Sequence, residues 1–177
     1  MVSKDNLSVT KRNGRGKESL NIEKIHSMVG FATEGITGVS ASHVEMNSGI
    51  QFFDGIDTED IQQILIKSAN DLISLENPNY QYVAARLLLF SLRKKLFHRL
   101  WEHPKFLDHI KLCVEKGMYD KDILVNYTEA EIDRLNGFID HERDYNFTYA
   151  GLRQVMDKYL VQDRSTGDIF ETPQFMY

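Results

Sequence analysis

The chain has 177 residues and a net charge of −5, with 42% hydrophobic and 27% charged residues. That composition is typical of a soluble globular protein, and the charge excludes general duplex binding, which needs many cations on phosphates. Cys113 is the single cysteine, which excludes an intrachain disulfide and a cysteine zinc site and is typical of a reducing compartment. The start lacks a signal peptide, and no apolar run reaches the ~20 residues of a membrane span. We therefore expect a cytoplasmic protein that binds neither nucleic acid nor membrane.

The amino-terminal residues predict a β-hairpin followed by a helix. Asn13-Gly14 is a two-residue hairpin signal in the middle of residues 7–20. Asn21 suits an N-cap, and Glu23 falls in the first turn, where a carboxylate favours the helix dipole. The expected apolar face carries Ile22, Ile25, Val29, Ala32 and Ile36, and the helix closes at Gly35 and Gly38.

A second helix is predicted to begin near Ser40 or Ser42, because Ser42 and Glu45 have capping-box spacing. It should end in the turn of residues 52–57, FFDGID. Thr58 is the predicted N-cap of the third helix.

Pro78 is predicted to lie just inside the start of a fourth helix, where its missing N–H costs nothing. This helix is apolar on nearly all sides from Val83 to Leu92, so we expect it to be central. Its basic end places cations where the helix dipole favours them.

The second half of the chain predicts three more helices and a second hairpin. The helices fall within residues 102–119, where a loop precedes a helix closed by Gly117, and within residues 128–139 and 149–160, and Thr128 is the expected cap of the second. The hairpin is expected around residues 165–167. Apolar surface is expected near Phe170, Phe175 and Tyr177.

Residues 11–17, KRNGRGK, concentrate positive charge around two glycines. A Walker A loop is excluded, because Lys11 stands where its first glycine is required and Glu18 follows Gly16-Lys17. A G-x-G-x-x-G loop is excluded by Ser19. The simplest interpretation is a solvated hairpin tip.

A second basic cluster at the end of the fourth helix offers a different interpretation. It consists of Arg93, Lys94, Lys95 and Arg99. If the hairpin folds over the helix ends, Lys11, Arg12 and Lys94 could converge on one triphosphate, since several cations form a charge-assisted site without a glycine-rich loop. Compensation of the helix dipole explains the second cluster equally well.

The sequence contains no complete motif for a metal site or for a catalytic nucleophile. His141-Glu142 begins an HExxH-like string, but Tyr145 occupies the position of the second histidine. Cys113 lies on an amphipathic segment, where a buried structural thiol is expected. We predict no catalytic residue and no metal site from the residues alone.

Several strings in order resemble the start of the large (α) subunit of class I ribonucleotide reductase. They are VTKRNG, LNIEKIH, DGIDTEDIQQILIKSA, NPNYQYVAARLLLFSLRKK, HERDYNFTYAG and KYLVQDRSTGDIFETPQF, spread over nearly all of residues 7–175. The resemblance implies a mainly α fold. Residues 1–100 would form an ATP-cone, a helical bundle capped by a small β-hairpin. Residues 101–177 would supply the helices and the hairpin that begin the catalytic domain, with its barrel incomplete.

In that family the cone is the overall-activity site, where ATP activates the enzyme and dATP inhibits it. The resemblance implies an allosteric site for ATP or dATP, accompanied by Mg²⁺. Its phosphates would meet cations of the hairpin and of the fourth helix, and Glu18 and Asn21 would orient the sugar or base. Gln62 stands where many relatives carry a histidine near the base, and the hairpin loop is one residue longer than in close relatives. The implied site comprises Lys11, Arg12, Glu18, Ser19, Leu20, Asn21, Ile22, Glu23, Lys24, Thr58, Gln62 and Lys94.

The family's reduction chemistry uses a radical cysteine and a redox-active cysteine pair, whereas this sequence has Cys113 alone, outside those motifs. We therefore expect the chain by itself to be inactive, as part of a split gene or a truncated chain. Its expected partners are the remainder of the large subunit, as a separate chain or a missing segment, and the radical-bearing small (β) subunit. A subunit-assembly module without nucleotide binding is the alternative. The ATP-cone repressor type is excluded, because it needs a zinc ribbon with four cysteines.

Overall fold

A computed structural model describes residues 7–10, 16–49 and 51–177. The protein is mainly helical with a small sheet, as predicted. It divides into two compact units, which we call the first unit (Met1–Ser91 with Phe147–Ala150) and the second unit (Leu92–Asn146 with Gly151–Tyr177). No helix in the described part of the chain has both the length and the apolarity that a bilayer crossing requires.

The elements follow one another from a sheet to a series of helices. The strands are β1 Ser8–Thr10, β2 Lys17–Ser19 and β3 Ile56–Asp57. The helices are α1 Ile22–Thr33, α2 Ala41–Gly49, α3 Thr58–Asp71, α4 Tyr80–Phe97, α5 Phe106–Glu115, α6 Asp122–Asn126, α7 Glu129–Asn136, α8 Tyr149–Lys158 and α9 Pro173–Met176, with a 3₁₀ turn at His141–Asn146 between α7 and α8.

The sheet has the strand order β2-β1-β3. β1 and β2 pair antiparallel, from Ser8 opposite Ser19 to Thr10 opposite Lys17, which confirms the predicted pairing. The predicted Asn13-Gly14 turn lies outside the described residues. β3 pairs with β1 in parallel, a contact that was not predicted because two residues carry no periodicity.

The predicted start of the second helix is confirmed, since α2 begins at Ala41, directly after Ser40. The predicted capping box is not formed, because Ser42 is a helical residue and Glu45 contacts the His26 ring (Nδ1 to Oε1, 2.8 Å). The predicted N-cap of the third helix is wrong, because Asp57 is the N-cap of α3 and Thr58 is its first helical residue.

The boundaries of α2 and α4 also differ from the prediction. α2 ends at Gly49, earlier than the predicted turn. α4 begins at Tyr80, two residues after Pro78. The Tyr80 hydroxyl accepts a hydrogen bond from the Ser40 backbone N–H at 3.0 Å, so a contact distant in sequence accompanies the start of this helix.

Helix α4 is central to the core, as its apolar sequence predicted. Val83, Ala84, Leu87 and Leu89 are completely buried, and each buried Leu side chain contributes about 1.5–3 kcal/mol. α1 packs its predicted face, except that Ile22 is exposed, Met28 is buried and Ile36 lies beyond the end of the helix at Thr33. This is the expected outcome for a helix with one side to solvent.

The second unit is built around α5 and α7, where Leu107, Ile110 and Ile132 form a small core. The Thr128 cap of α7 is confirmed, with the capping box completed by Glu131. The predicted late hairpin is reduced to one bridge, between Gln162 and Ile169.

Phe175 was predicted to be exposed, and this prediction is wrong. Its ring is buried and stacks on His109 with a centroid distance of 4.4 Å. Phe170 is partly buried, and Tyr177 is exposed.

Arg93 does not belong to a solvent-facing basic cluster. It is buried, donates to the Tyr145 hydroxyl at 2.9 Å and to the His141 carbonyl at 2.6 Å, and lies 3.7 Å from the Asp144 carboxylate. Arg93 is therefore a structural residue of the second unit, which removes it from the second basic cluster that the sequence indicated.

Candidate functional site

The parallel pairing of β3 with β1 places the start of α3 beside the hairpin. Because Thr10 is opposite Asp57 in the parallel pair, the first residue of α3, Thr58, follows next to the point where β1 ends. The Thr10 hydroxyl donates to the Gly55 carbonyl at 3.1 Å. The predicted phosphate ligands Lys11 and Arg12 follow β1 directly in sequence and lie outside the described residues.

Gly55 and Asp54 attach this junction to the sheet. Gly55 has a φ of +80°, which favours glycine, and its N–H donates to the Ser8 carbonyl at 2.8 Å. Hydrogen bonds from the Ser8 hydroxyl and N–H, with help from the Lys17 charge, hold the pKa of Asp54 below its ordinary value. The sequence indicated only a turn here and gave no signal for these contacts.

Strand β2 leads directly into α1 and carries most of the predicted residues. Glu18 is half-buried opposite Val9, and Ser19 is exposed. Asn21 caps α1, because its Oδ1 accepts a hydrogen bond from the Lys24 N–H at 3.0 Å, as predicted. Glu23 and Lys24 are exposed in the first turn of this helix.

A cavity of about 120 Å³ lies beside this junction. Leu20 and Ile22, two of the predicted site residues, line it together with Leu7, Ile25 and Phe52. His26 and Glu45 lie at the same cavity and contact each other. The cavity therefore combines apolar side chains with polar ones, a combination that small-ligand sites require.

Gln62 is placed differently from the other predicted residues. Its side chain is 1% exposed, and its Nε2 donates to the Leu87 carbonyl of α4 at 3.0 Å. Thr58 is half-buried one turn earlier on the same face of α3. The amide nitrogen of Gln62 is thus directed into the helical bundle.

Lys17 belongs to the first unit and Lys94 to the second unit. Lys94 is in the last turn of α4, where a cation favours the helix dipole. Lys17 was not among the predicted site residues. It lies on β2, and its Nζ is 3.9 Å from the position that a Cβ atom would occupy at Gly55. The sequence around a lysine in a hairpin strand does not distinguish a lysine that approaches another segment from one that only contributes to solubility.

The described residues of this junction combine a small cavity with the N-termini of two helices. The helix N-termini of α1 and α3 present backbone N–H groups, although Glu23, Glu59 and Asp60 already lie in their first turns. Within the described residues, no group of three or more His, Cys, Asp or Glu side chains could hold a metal ion.

Comparison with known proteins matches the ATP cone domain to residues 7–95. The chain is 51% identical over 172 residues to the ribonucleoside-diphosphate reductase 1 subunit alpha of Escherichia coli K12, covering 97% of this chain and 22% of that protein. It is 49% identical to the alpha subunit of Buchnera aphidicola from Acyrthosiphon pisum, over 98% of this chain and 23% of the relative. The alpha subunit of Enterobacteria phage T4 is 44% identical, over 97% of this chain and 22% of its own length.

The chain thus spans less than a quarter of the length of these relatives. Half of it is matched by one family, and nearly all of it is similar to the amino-terminal region of the large subunits. This chain belongs to the ATP-cone family and matches the amino-terminal portion of class I ribonucleotide reductase large subunits.

Proposed function

We propose that the chain is the nucleotide-sensing part of a ribonucleoside-diphosphate reductase large subunit. The observation that carries this proposal is the ATP cone match over residues 7–95, which includes the whole strand-to-helix junction described above. Residues 1–100 would sense the nucleotide, and residues 101–177 would begin the catalytic region. ATP would activate the enzyme and dATP would inhibit it.

The proposed contacts divide the nucleotide between charged and apolar groups. Lys11, Arg12 and Lys94 would hold the phosphates, since cations form strong charge-assisted hydrogen bonds with phosphate oxygens. Glu18 and Asn21 would orient the sugar or base. The apolar side chains of Leu20 and Ile22 at the cavity support a place for the flat base.

Magnesium would arrive with the triphosphate. Mg²⁺ keeps several waters and is commonly bound through substrate phosphates with few protein carboxylates. This behaviour agrees with the lack of a carboxylate cage among the described residues.

Regulation requires that the two nucleotides favour different quaternary arrangements. A ligand that binds two arrangements equally shifts neither population. The remainder of the large subunit and the radical-bearing small subunit are the proposed partners, since the relatives are alpha subunits of this enzyme.

A subunit-assembly module without nucleotide binding is the second candidate. Gln62 favours this second candidate, because the amide nitrogen that would face a base donates a hydrogen bond to the Leu87 carbonyl instead. The acidic first turns of α1 and α3 also oppose an anion.

Titration calorimetry of the 177-residue chain with ATP, dATP and CTP, each with Mg²⁺, separates the candidates. Saturable heat with both adenine nucleotides and little heat with CTP would support nucleotide sensing. The absence of heat from ATP and dATP at millimolar concentration would leave only the assembly function.

A further inference from the structure

The second unit contains a groove of about 650 Å³ that the proposed nucleotide site does not use. Ile110, Ile132 and Phe175, all buried, line its inner part. Tyr127 and Leu135 also line it and are 58% and 53% exposed. Large apolar side chains beside an open apolar groove are typical of an interaction surface.

The charged side chains that line this groove are all acidic. They are Asp120, Glu131 and Glu171, and no Lys, Arg or His is among the described residues that line it. Glu171 is 3% exposed, and it accepts hydrogen bonds from two neutral donors, the Tyr119 hydroxyl and the Val161 N–H. The lining of the groove is therefore mainly apolar with three acidic side chains, which favours an occupant that carries a cation.

The relatives show that a large polypeptide accompanies this region. The matched part is 22% of the Escherichia coli alpha subunit, so most of that protein lies outside it. We infer that the groove binds an apolar polypeptide segment that carries a Lys or Arg side chain and belongs to the rest of the large subunit. This inference rests on the proposed function for its partner, and on the groove for its chemistry.

Thiol protection tests the inference in a full-length chimera, in which this chain replaces the matched region of the Escherichia coli alpha subunit. Leu135→Cys places a thiol in the groove. Val125→Cys is the matched control, because Val125 is 77% exposed on α6 and does not line the groove. The probe is neutral N-ethylmaleimide, and mass spectrometry of the labelled peptide gives each rate, in the chimera and in the 177-residue chain alone.

We expect the introduced thiol at position 135 to react about tenfold or more slowly in the chimera than in the chain alone. The thiol at position 125 should react at rates within about twofold in the two proteins. Equal rates at position 135 would overturn the inference, as would equal slowing of both thiols.

Cys113 reports whether each protein is folded. It is buried, and burial raises its pKa to about 11, so it should remain unreactive in a folded chain. Protection of position 135 that appears in the chain alone on raising its concentration would identify a second copy as the occupant, and would overturn the inference.

The predicted cation is tested with Asp120→Asn in the Leu135→Cys chimera. Asparagine can retain the hydrogen bond that Asp120 accepts from the Asp122 N–H at 2.9 Å, while the charge is removed. Protection at position 135 should decrease several-fold, and Asp122→Asn, outside the groove, should leave it unchanged. Equal protection in both variants would overturn the assignment of a cationic occupant.

ATP titration of the same chimera keeps the two proposals apart. Protection without ATP binding would refute the proposed function and leave the groove assignment in place. ATP binding without protection would refute the groove assignment alone.

Discussion

The side-chain amide of Gln62 donates to the backbone carbonyl of Leu87 at 3.0 Å, inside the helical bundle of the first unit. This bond joins α3 to α4 at a residue that the family resemblance places beside the nucleotide base. Structure and resemblance therefore assign Gln62 two different roles, which can be measured separately.

Gln62→Leu should lower the free energy of unfolding by about 1–2 kcal/mol, because a buried hydrogen bond is lost without creating a large cavity. Gln63→Leu, at an exposed neighbouring position, should change it by less than about 0.5 kcal/mol. Urea denaturation checks both values. Equal losses in the two variants would contradict the structural role, and a fall in ATP affinity for Gln62→Leu alone would add a binding role.

Asn21 is expected to serve both as a helix cap and as a ligand. Asn21→Ala should cost about 1 kcal/mol of stability, since it removes the acceptor of the Lys24 N–H. Asn21→Ser should retain most of that stability, because serine also caps helices. If the amide orients the nucleotide, Asn21→Ser should still weaken ATP binding in calorimetry, and unchanged affinity would limit Asn21 to capping.

Lys94→Ala should weaken ATP binding about 10- to 100-fold if Lys94 meets a phosphate, since a charged hydrogen bond contributes about 1.5–3 kcal/mol. Lys95→Ala is the matched control, because Lys95 lies in the same last turn of α4 and has no predicted contact with the nucleotide. Similar effects of both substitutions would indicate a general charge effect and would remove Lys94 from the site.

Acid should destabilise the second unit through one buried histidine, His109, and two half-buried ones, His103 and His141. Burial lowers the pKa of His103 to about 3 and those of His109 and His141 to about 4, with the charge of Arg93 adding to the effect on the stacked pair His103 and His141. The unfolded chain binds protons below its ordinary histidine pKa, whereas these folded histidines stay neutral. Stability should therefore fall as pH decreases from about 6.5 to about 4.

Asp144 acts in the opposite direction. Burial raises its pKa to about 6 while Arg93 opposes the shift. Its contribution to the stability of the fold is therefore present at low pH and is lost as pH rises through about 6. The three histidines together change stability more than the one carboxyl group does. We therefore expect the free energy of unfolding to fall by about 2 kcal/mol or more between pH 7 and pH 5. Denaturation at the two pH values measures it. His141→Gln should reduce this pH dependence, whereas His98→Asn, at an exposed position, should leave it intact.

Short-range patterns were sufficient for much of the fold. Asn21 and Thr128 were correctly identified as caps, and α4 was correctly expected to be central. These features depend on groups within a few residues of one another along the chain. The pairing of β1 with β2 was predicted from the turn composition for the same reason.

The candidate site was predictable only in part. The residues from Glu18 to Lys24 are contiguous, so their common location at the β2–α1 junction follows from the sequence. The approach of Lys17 to Gly55 and the Asp54–Ser8 contacts join segments that are far apart in sequence. No local pattern reports such contacts.

The sequence by itself determined the helical character, the main caps, the central helix and the resemblance to a nucleotide-sensing family. Only the tertiary structure decided that β3 pairs with β1, that Gln62 is directed toward Leu87 and that Arg93 is buried beside Asp144. Periodicity and capping are local properties of the chain, because they depend on residues that are close to one another in sequence. The direction of a polar side chain depends on which distant carbonyl or carboxylate the packed core brings within hydrogen-bond or ion-pair distance.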